Sequence, residues 1–260
     1  MTASMEPHSE RAGTPGPVYK DPAFLDGEDA RPLRILAEYL QPLSRFRELG
    51  IHDTIVFFGS ARQKEDGPMA RYYADARALA RSVTAWSRSL GFPKERFVIC
   101  TGGGGGFMEA ANLGAMEAGG RSIGLNIGLP HEQRPNPFIT PDLNLMFHYF
   151  FMRKLWFAHL ARAIVIFPGG YGTLDELFEI LTLAATRKLG REMPVILYGS
   201  AYWNEILNFG ALVRHGMISP QEAALVRYAD SPEEALRLLQ EALPLQMAPT
   251  TPAFNESSAA

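Results

Sequence analysis

Two stretches of the sequence join a glycine run to the start of a helix. In Pro168-Gly169-Gly170-Tyr171-Gly172-Thr173, an apolar β-type run ends in three glycines, and a helical pattern begins near Leu174. Glycines let a ligand come close to the backbone, and the helix start supplies free N–H groups and a positive dipole end, which suits a phosphate. The same composition also makes a tight strand-to-helix turn without a ligand. The second stretch runs from Thr101 through Gly102–Gly106, including Gly103 and Gly104, into Phe107-Met108-Glu109-Ala110-Ala111-Asn112. Five glycines in a row are entropically expensive and pack against nothing, a poor choice for a plain connector between a strand and a good helix. Two such loops on one sheet edge point to a ligand lying between them.

Charged residues cluster around these loops. Asp175 and Glu176 are adjacent, so on a helix they project about 100° apart and only one faces a crevice squarely. Glu109 holds the equivalent place after the five glycines. Either acid could instead complement the helix dipole. Arg153 and Lys154 sit in the middle of the apolar segment 145–162. A buried cation without a partner costs several kcal/mol, so at least one of them must reach a carboxylate, a phosphate or solvent. A structural salt bridge or a snorkelling lysine satisfies that demand as well as a binding arginine does.

Other chemistries find little support. A dinucleotide fingerprint would need glycine where Phe107 stands, and neither a P-loop nor a nucleophile elbow G-x-S-x-G is present. His8, His52, His131, His148, His159 and His215 have no metal-ligand spacing, and His131-Glu132 lacks the second histidine of a zincin helix. The lone Cys100 lies in an apolar run and reads as a small core residue. Neither a metal nor a cofactor is implied.

Something must position these residues. Short β-rich runs at 54–60, 96–103, 122–130, 163–170 and 194–200 alternate with helical patterns at 68–90, 107–119, 145–162, 174–189 and 202–215. A leading helix is expected over 31–50, and a weak strand near Ala224–Tyr228 precedes a helix capped by Ser231-Pro232-Glu233-Glu234. That alternation predicts an α/β fold, a doubly wound parallel sheet flanked by helices. Four strands run into glycine loops, at Gly59-Ser60, Gly102–Gly106, Gly169–Gly172 and Gly199-Ser200. In a parallel sheet all four lie at the carboxyl edge, where open α/β sheets bind ligands.

Composition sets the outer limits. The 260 residues are 47% hydrophobic and 20% charged, with 25 basic against 28 acidic side chains and a net charge of −3. This is enough apolar content for a single sizeable core. The absence of a basic stripe disfavours nucleic-acid binding. No apolar stretch reaches membrane-spanning length, and the polar, Pro- and Gly-containing start lacks the apolar core of a signal peptide. A soluble cytoplasmic protein is expected, with a flexible arm over 1–30, a catalytic domain over 31–243 and a flexible tail over 244–260.

The pairing of Met152-Arg153-Lys154 with Pro168-Gly169-Gly170-Tyr171-Gly172-Thr173-Leu174-Asp175-Glu176 resembles the R-K and P-G-G-x-G-T-x-x-E signature of the Lonely Guy family. These are cytokinin riboside 5′-monophosphate phosphoribohydrolases, many long labelled possible lysine decarboxylases. The likeness spans most of 50–200, including Phe58-Gly59-Ser60-Ala61 and Gly102–Gly106 with Met108. The N-terminal helix, the Phe107–Asn112 stretch and the segment 129–143 resemble the longer bacterial branch. The resemblance implies a homodimeric Rossmann-like enzyme that hydrolyses the N-glycosidic bond of AMP or N6-substituted AMP, giving free base and ribose 5-phosphate. It places the 5′-phosphate on the amides of Gly169, Gly170, Gly172 and Thr173 and makes Arg153 and Glu176 the catalytic pair. Gly59, Ser60, Gly103, Gly104, Met108, Glu109 and Lys154 complete the expected nucleotide site. The rival reading is a nucleotide- or cofactor-binding carrier of the same fold, which has no need of a carboxylate at the ribose. A pyridoxal-dependent decarboxylase would need a Schiff-base lysine, for which Lys154 is the one candidate near the site.

Overall fold

The computed structural model describes residues 16–92, 94–128 and 134–243. The tail expected over 244–260, the first half of the expected arm and the His131-Glu132 pair lie outside them. The chain divides into two compact units, Met1–Gln41 and Pro42–Ala260. In the first, Asp21 caps a short helix α1 (Pro22–Asp26) through the Ala23 amide. Arg34, in the following helix α2 (Arg31–Glu48), donates to the carbonyls of Leu25 and Gly27 at 2.6 and 2.7 Å.

The second unit contains a seven-stranded sheet: β1 (Thr54–Phe58), β2 (Val98–Thr101), β3 (Ser122–Ile127), β4 (Asn144–Phe147), β5 (Ala161–Ile166), β6 (Val195–Tyr198) and β7 (Val226–Ala229). Their order is β4-β3-β2-β1-β5-β6-β7, and every pairing is parallel. The chain winds outward from β1 in one direction, then returns to β1's other side and winds the other way. This is the doubly wound, Rossmann-like arrangement, and its switch point lies between β1 and β5.

Strands β1, β2, β3, β5 and β6 are buried at every residue, as a parallel sheet covered on both faces requires. Alternate residues serve the two faces. Ile55, Phe57, Ile99, Val165 and Tyr198 enter a core with helices α3 (Ala70–Ser89) and α4 (Phe107–Glu117) and the C-terminal helix. On the opposite face Phe58 meets Phe157 of α5 (Phe150–Leu160) edge-on at 4.8 Å.

The structure corrects three expectations. Segment 145–162 is not one helix: Asn144–Phe147 forms an edge strand, α5 follows, and β5 begins at Ala161. Burial in β4 alternates between exposed and buried, a two-residue period hidden inside an apolar run. The glycine-loop helix α6 (Tyr171–Ala185) starts three residues before Leu174. The helix expected over 202–215 is two, α7 (Ser200–Ile206) and α8 (Phe209–Arg214), parted where Asn208 caps the second through Ala211. A short α9 (Pro220–Ala223) leads to β7. The final helix α10 (Pro232–Ala242) is capped by Ser231, as its sequence predicts.

Candidate active site

The carboxyl ends of the strands around the switch point open into a cleft of about 800 Å³. Three loops build it, and the one after β1 stitches the other two. Ser60 N–H donates to the Pro168 carbonyl at 3.0 Å, while the Ser60 carbonyl accepts from Phe107 N–H at 3.2 Å. The second contact is why Gly106 must be glycine: its φ is +65°, and a Cβ there would stand 2.1 Å from the Ser60 oxygen.

The five-glycine loop is held from beneath. Asn136 Nδ2 donates to the carbonyls of Gly103 and Gly104 at 3.2 and 2.9 Å and to Asn112 Oδ1 at 2.9 Å. Thr101 Oγ1 accepts from Gly103 N–H at 3.0 Å and donates to Asn112 Oδ1 at 2.8 Å. A loop with no side chains of its own is thereby fixed by its neighbours' side chains. On the other wall, Tyr202 of α7 donates to the Gly169 carbonyl at 2.7 Å, and Thr173 packs where a Gly169 Cβ would be.

Helix α6 enters the cleft at its N-terminus, with Gly170 at the cap position and no side-chain cap hydrogen bond among the described residues. Those amides are unsatisfied within the helix and carry its positive dipole end, a ready anion site. Nothing lies within 4 Å of where a Cβ on Gly170 or Gly172 would stand, so the approach to the backbone is open. Glu176 is four residues after Gly172, on the same face one turn along. Helical side chains lean toward the helix N-terminus, so its carboxylate tilts back toward the anion site.

Glu176 is only 6% exposed. Burial pushes its carboxyl from the ordinary 4.5 up to about 7, although the nearby cations Arg153 and Lys154 oppose the shift. The Arg153 guanidinium lies 3.5 Å from Glu176 Oε1 and packs against the rings of Phe150 and Phe157, 5.3 and 5.6 Å from their centroids. At that separation the ion pair does not offset the desolvation of the carboxylate. Burial lowers the Arg153 pKa, against the pull of Glu176 and Asp175, and its Nε has no hydrogen-bond partner among the described residues. The site therefore holds a half-ionisable carboxylate beside a fixed cation.

Gly59, Ser60, Gly104, Met108, Arg153, Gly169, Gly170, Gly172, Thr173 and Glu176 all line the cleft. Three other predicted residues do not. Gly103 has its amide and carbonyl committed to Thr101 and Asn136. Glu109 accepts from Tyr73 of α3 at 3.2 Å, and burial together with Glu109 pushes the Tyr73 phenol up to about 12. Lys154 turns away to Asp175 and Glu179, at 2.7 Å from each. Of the acidic pair, Glu176 faces the cleft and Asp175 the lysine. Lining residues that the sequence reading left unnamed include Phe150, Tyr202 and Asn126. Asn126 carried a signal, a carboxamide inside an otherwise apolar strand.

Comparison with known proteins shows the family of the chain. A family model described as "Possible lysine decarboxylase" matches residues 108–239. Cytokinin riboside 5′-monophosphate phosphoribohydrolase LOG7 of Arabidopsis thaliana is 39% identical over 92 residues, spanning 34% of this chain and 41% of that protein. The probable cytokinin riboside 5′-monophosphate phosphoribohydrolase LOGL3 of Oryza sativa subsp. japonica is 28% identical over 211 residues, 77% of this chain and 87% of that protein. Among solved structures, the structural-genomics target TM1055 superposes with a TM-score of 0.51 at 20% identity, over 73% of this chain and 99% of its own. That likeness is one of fold. The family match covers just over half of the chain and includes the glycine loop and the Arg153/Glu176 pair, so the protein belongs to the possible lysine decarboxylase family, that of the Lonely Guy proteins.

Proposed function

We propose that the protein hydrolyses the N-glycosidic bond of AMP or an N6-substituted AMP, releasing the base and ribose 5-phosphate. The observation that carries this reading is Glu176, buried beside Arg153 one helical turn from an uncapped helix N-terminus. With the 5′-phosphate on the first-turn amides of α6, the ribose reaches the carboxylate. Binding energy at the phosphate then positions the reacting carbon. The bond from C1′ to the base nitrogen breaks through an oxocarbenium-like state. Ionised Glu176 stabilises that charge and takes a proton from the attacking water, whose oxygen bonds to C1′; the base leaves with the bonding pair and ends with that proton, which regenerates the carboxylate. A carboxyl with a pKa of about 7 is well matched to this work at neutral pH. Arg153 orients the carboxylate.

Decarboxylation through a Schiff base does not fit the residues. Burial works to depress the Lys154 pKa, but its bonds to Asp175 and Glu179 raise it overall, and an amine held protonated by two carboxylates is no nucleophile.

The test is product analysis after incubation with AMP and with N6-isopentenyl-AMP. Free base and ribose 5-phosphate are expected, lost in Glu176→Ala, with kcat/KM rising through an inflection near pH 7 as Glu176 ionises. Tight AMP binding without base release would overturn the hydrolase and leave a nucleotide carrier. A homodimer in the cytoplasm belongs to the same proposal, and sedimentation of the purified protein checks the dimer.

A further inference from the structure

Three strands from the proposed phosphate site, the cleft is lined by Asn126 on β3. Asn126 is 4% exposed, and its carboxamide can face only one way. Nδ2 donates to the carbonyls of Gly124 at 3.3 Å and Leu145 at 3.1 Å and to Asn144 Oδ1 at 2.6 Å. Two of these acceptors are backbone carbonyls, which cannot donate, so the nitrogen must be the atom that meets them. The oxygen is left directed at the five-glycine loop. It lies 2.1 Å from where a Cβ on Gly103 would stand, and no donor among the described residues reaches it. Gly103 itself does not line the cleft but Asn126 does, so the acceptor left over on its carboxamide belongs to the cleft's wall, and a fixed acceptor selects a donor.

Two donors of a nucleoside monophosphate could meet it, a ribose hydroxyl or the amine at C6 of the purine. The sheet decides between them. Neighbouring strands are about 4.8 Å apart, so the three steps β5-β1-β2-β3 place Asn126 roughly 14 Å from the phosphate loop. In that reading the ribose is taken up earlier, by Glu176 and Arg153, whose guanidinium lies beside Gly102 just past the end of β2. What extends beyond it to β3 is the base. We infer that Asn126 Oδ1 reads an N–H on the C6 amine of the purine, so that the enzyme accepts 6-amino and N6-monosubstituted purine nucleotides and discriminates against 6-oxo ones. The inference rests on the nucleotide reading above.

A 6-oxo purine sets acceptor against acceptor, and a dimethylated amine has no N–H to offer. Sites that hydrogen-bond a substrate group reject analogues lacking it far more strongly than apolar pockets do. The experiment compares kcat/KM for AMP, N6-isopentenyl-AMP, N6,N6-dimethyl-AMP, IMP and 2′-deoxy-AMP in the wild type and in Asn126→Ala. Expected in the wild type is at least about tenfold discrimination against the dimethyl compound and IMP, with the bulkier isopentenyl compound retained. In Asn126→Ala the AMP-to-IMP ratio collapses toward unity, a change that general loosening of the loop would not produce. An unchanged ratio overturns the inference while leaving the hydrolase intact. Discrimination that depends on Asn126 only for 2′-deoxy-AMP overturns it in favour of a ribose contact. Should the variant not fold, wild-type cleavage of the dimethyl compound as fast as AMP overturns it unaided. If no nucleotide is cleaved, the hydrolase reading fails and the same ratios are taken from equilibrium binding: a preference for AMP over IMP that Asn126→Ala abolishes supports the inference, and an unchanged preference or no binding at all overturns it.

Discussion

Glu176 combines two properties that rarely coexist in a structural residue, deep burial and a cation held 3.5 Å away without a close bidentate bond. Its folded-state pKa, about 7, exceeds the ordinary 4.5. For a carboxyl raised in this way, the protonated form is the one the fold prefers. Stability from this group is fully present below about pH 4.5, falls as the pH climbs, and levels off above about 7, where the ionised carboxylate costs the folded state about 3 kcal/mol. Glu176→Gln imitates the protonated form and leaves Arg153 in the same surroundings. The variant is therefore expected to match the wild type in denaturant unfolding at pH 4.5 and to exceed it by about 2–3 kcal/mol at pH 8. A variant less stable than the wild type at pH 8 would show that the ion pair outweighs burial. Under the proposed function, this is the usual trade between activity and stability, a site that lowers stability to hold a reactive group.

At the scale of elements, the proposed reaction puts both the phosphate site and the carboxylate on α6, one rigid rod, and its glycines differ in their surroundings. Gly169 is closely packed: a Cβ would stand 2.1 Å from Thr173 Oγ1. Gly172 lies in the first turn of the helix with open space before it. Gly172→Ala should stabilise the helix, by up to about 1 kcal/mol, while the new methyl obstructs the phosphate and raises KM for AMP at least about tenfold. Gly169→Ala should lower the melting temperature as well as the activity. Calorimetry and steady-state kinetics on the two variants separate these effects, and a Gly172→Ala enzyme with unchanged KM would place the phosphate elsewhere. This division of labour was only partly legible in the sequence. The strand–glycine–helix spacing announced the loop, because local chemistry imposes it, whereas Arg153 and Glu176 were singled out by the resemblance of the R-K and P-G-G-x-G-T-x-x-E residues to a family signature. β4 was not legible, since its alternation was swamped by flanking aromatic residues that belong to α5. The turning of Lys154 and Glu109 away from the cleft was equally hidden. Each depends on a partner supplied by another element, Asp175 and Glu179 for the lysine and Tyr73 for the glutamate. Periodicity along one chain segment carries no such information.

On the scale of the whole molecule, the sheet places the network that ties its central strands and the candidate active site at opposite edges. No helix among the described residues is long and apolar enough to cross a membrane, and it is the parallel sheet that organises the molecule. At the amino edge, Asp53 ties the three central strands. Its carboxylate accepts from Arg96 at 2.6 and 2.9 Å and from the Phe97 amide at 2.7 Å, and lies 3.4 Å from Arg162 of β5. Phe97, just before β2, has a φ of +54°, a left-handed conformation unfavourable for an aromatic residue. The Asp53 contact and stacking on Trp86 at 5.1 Å hold it there. β1 is five residues long, so this network stands roughly 15 Å from the cleft at the other end of the strand. Asp53→Ala removes the carboxylate that two buried guanidinium groups share. It is expected to cost about 3–5 kcal/mol in urea unfolding, while the protein that remains folded keeps its KM for AMP within about twofold, because sites this far apart with no common partner behave additively. A large rise in KM with little loss of stability would mean that the two edges communicate through β1, and that the Asp53 network belongs to the active site as well as to the scaffold.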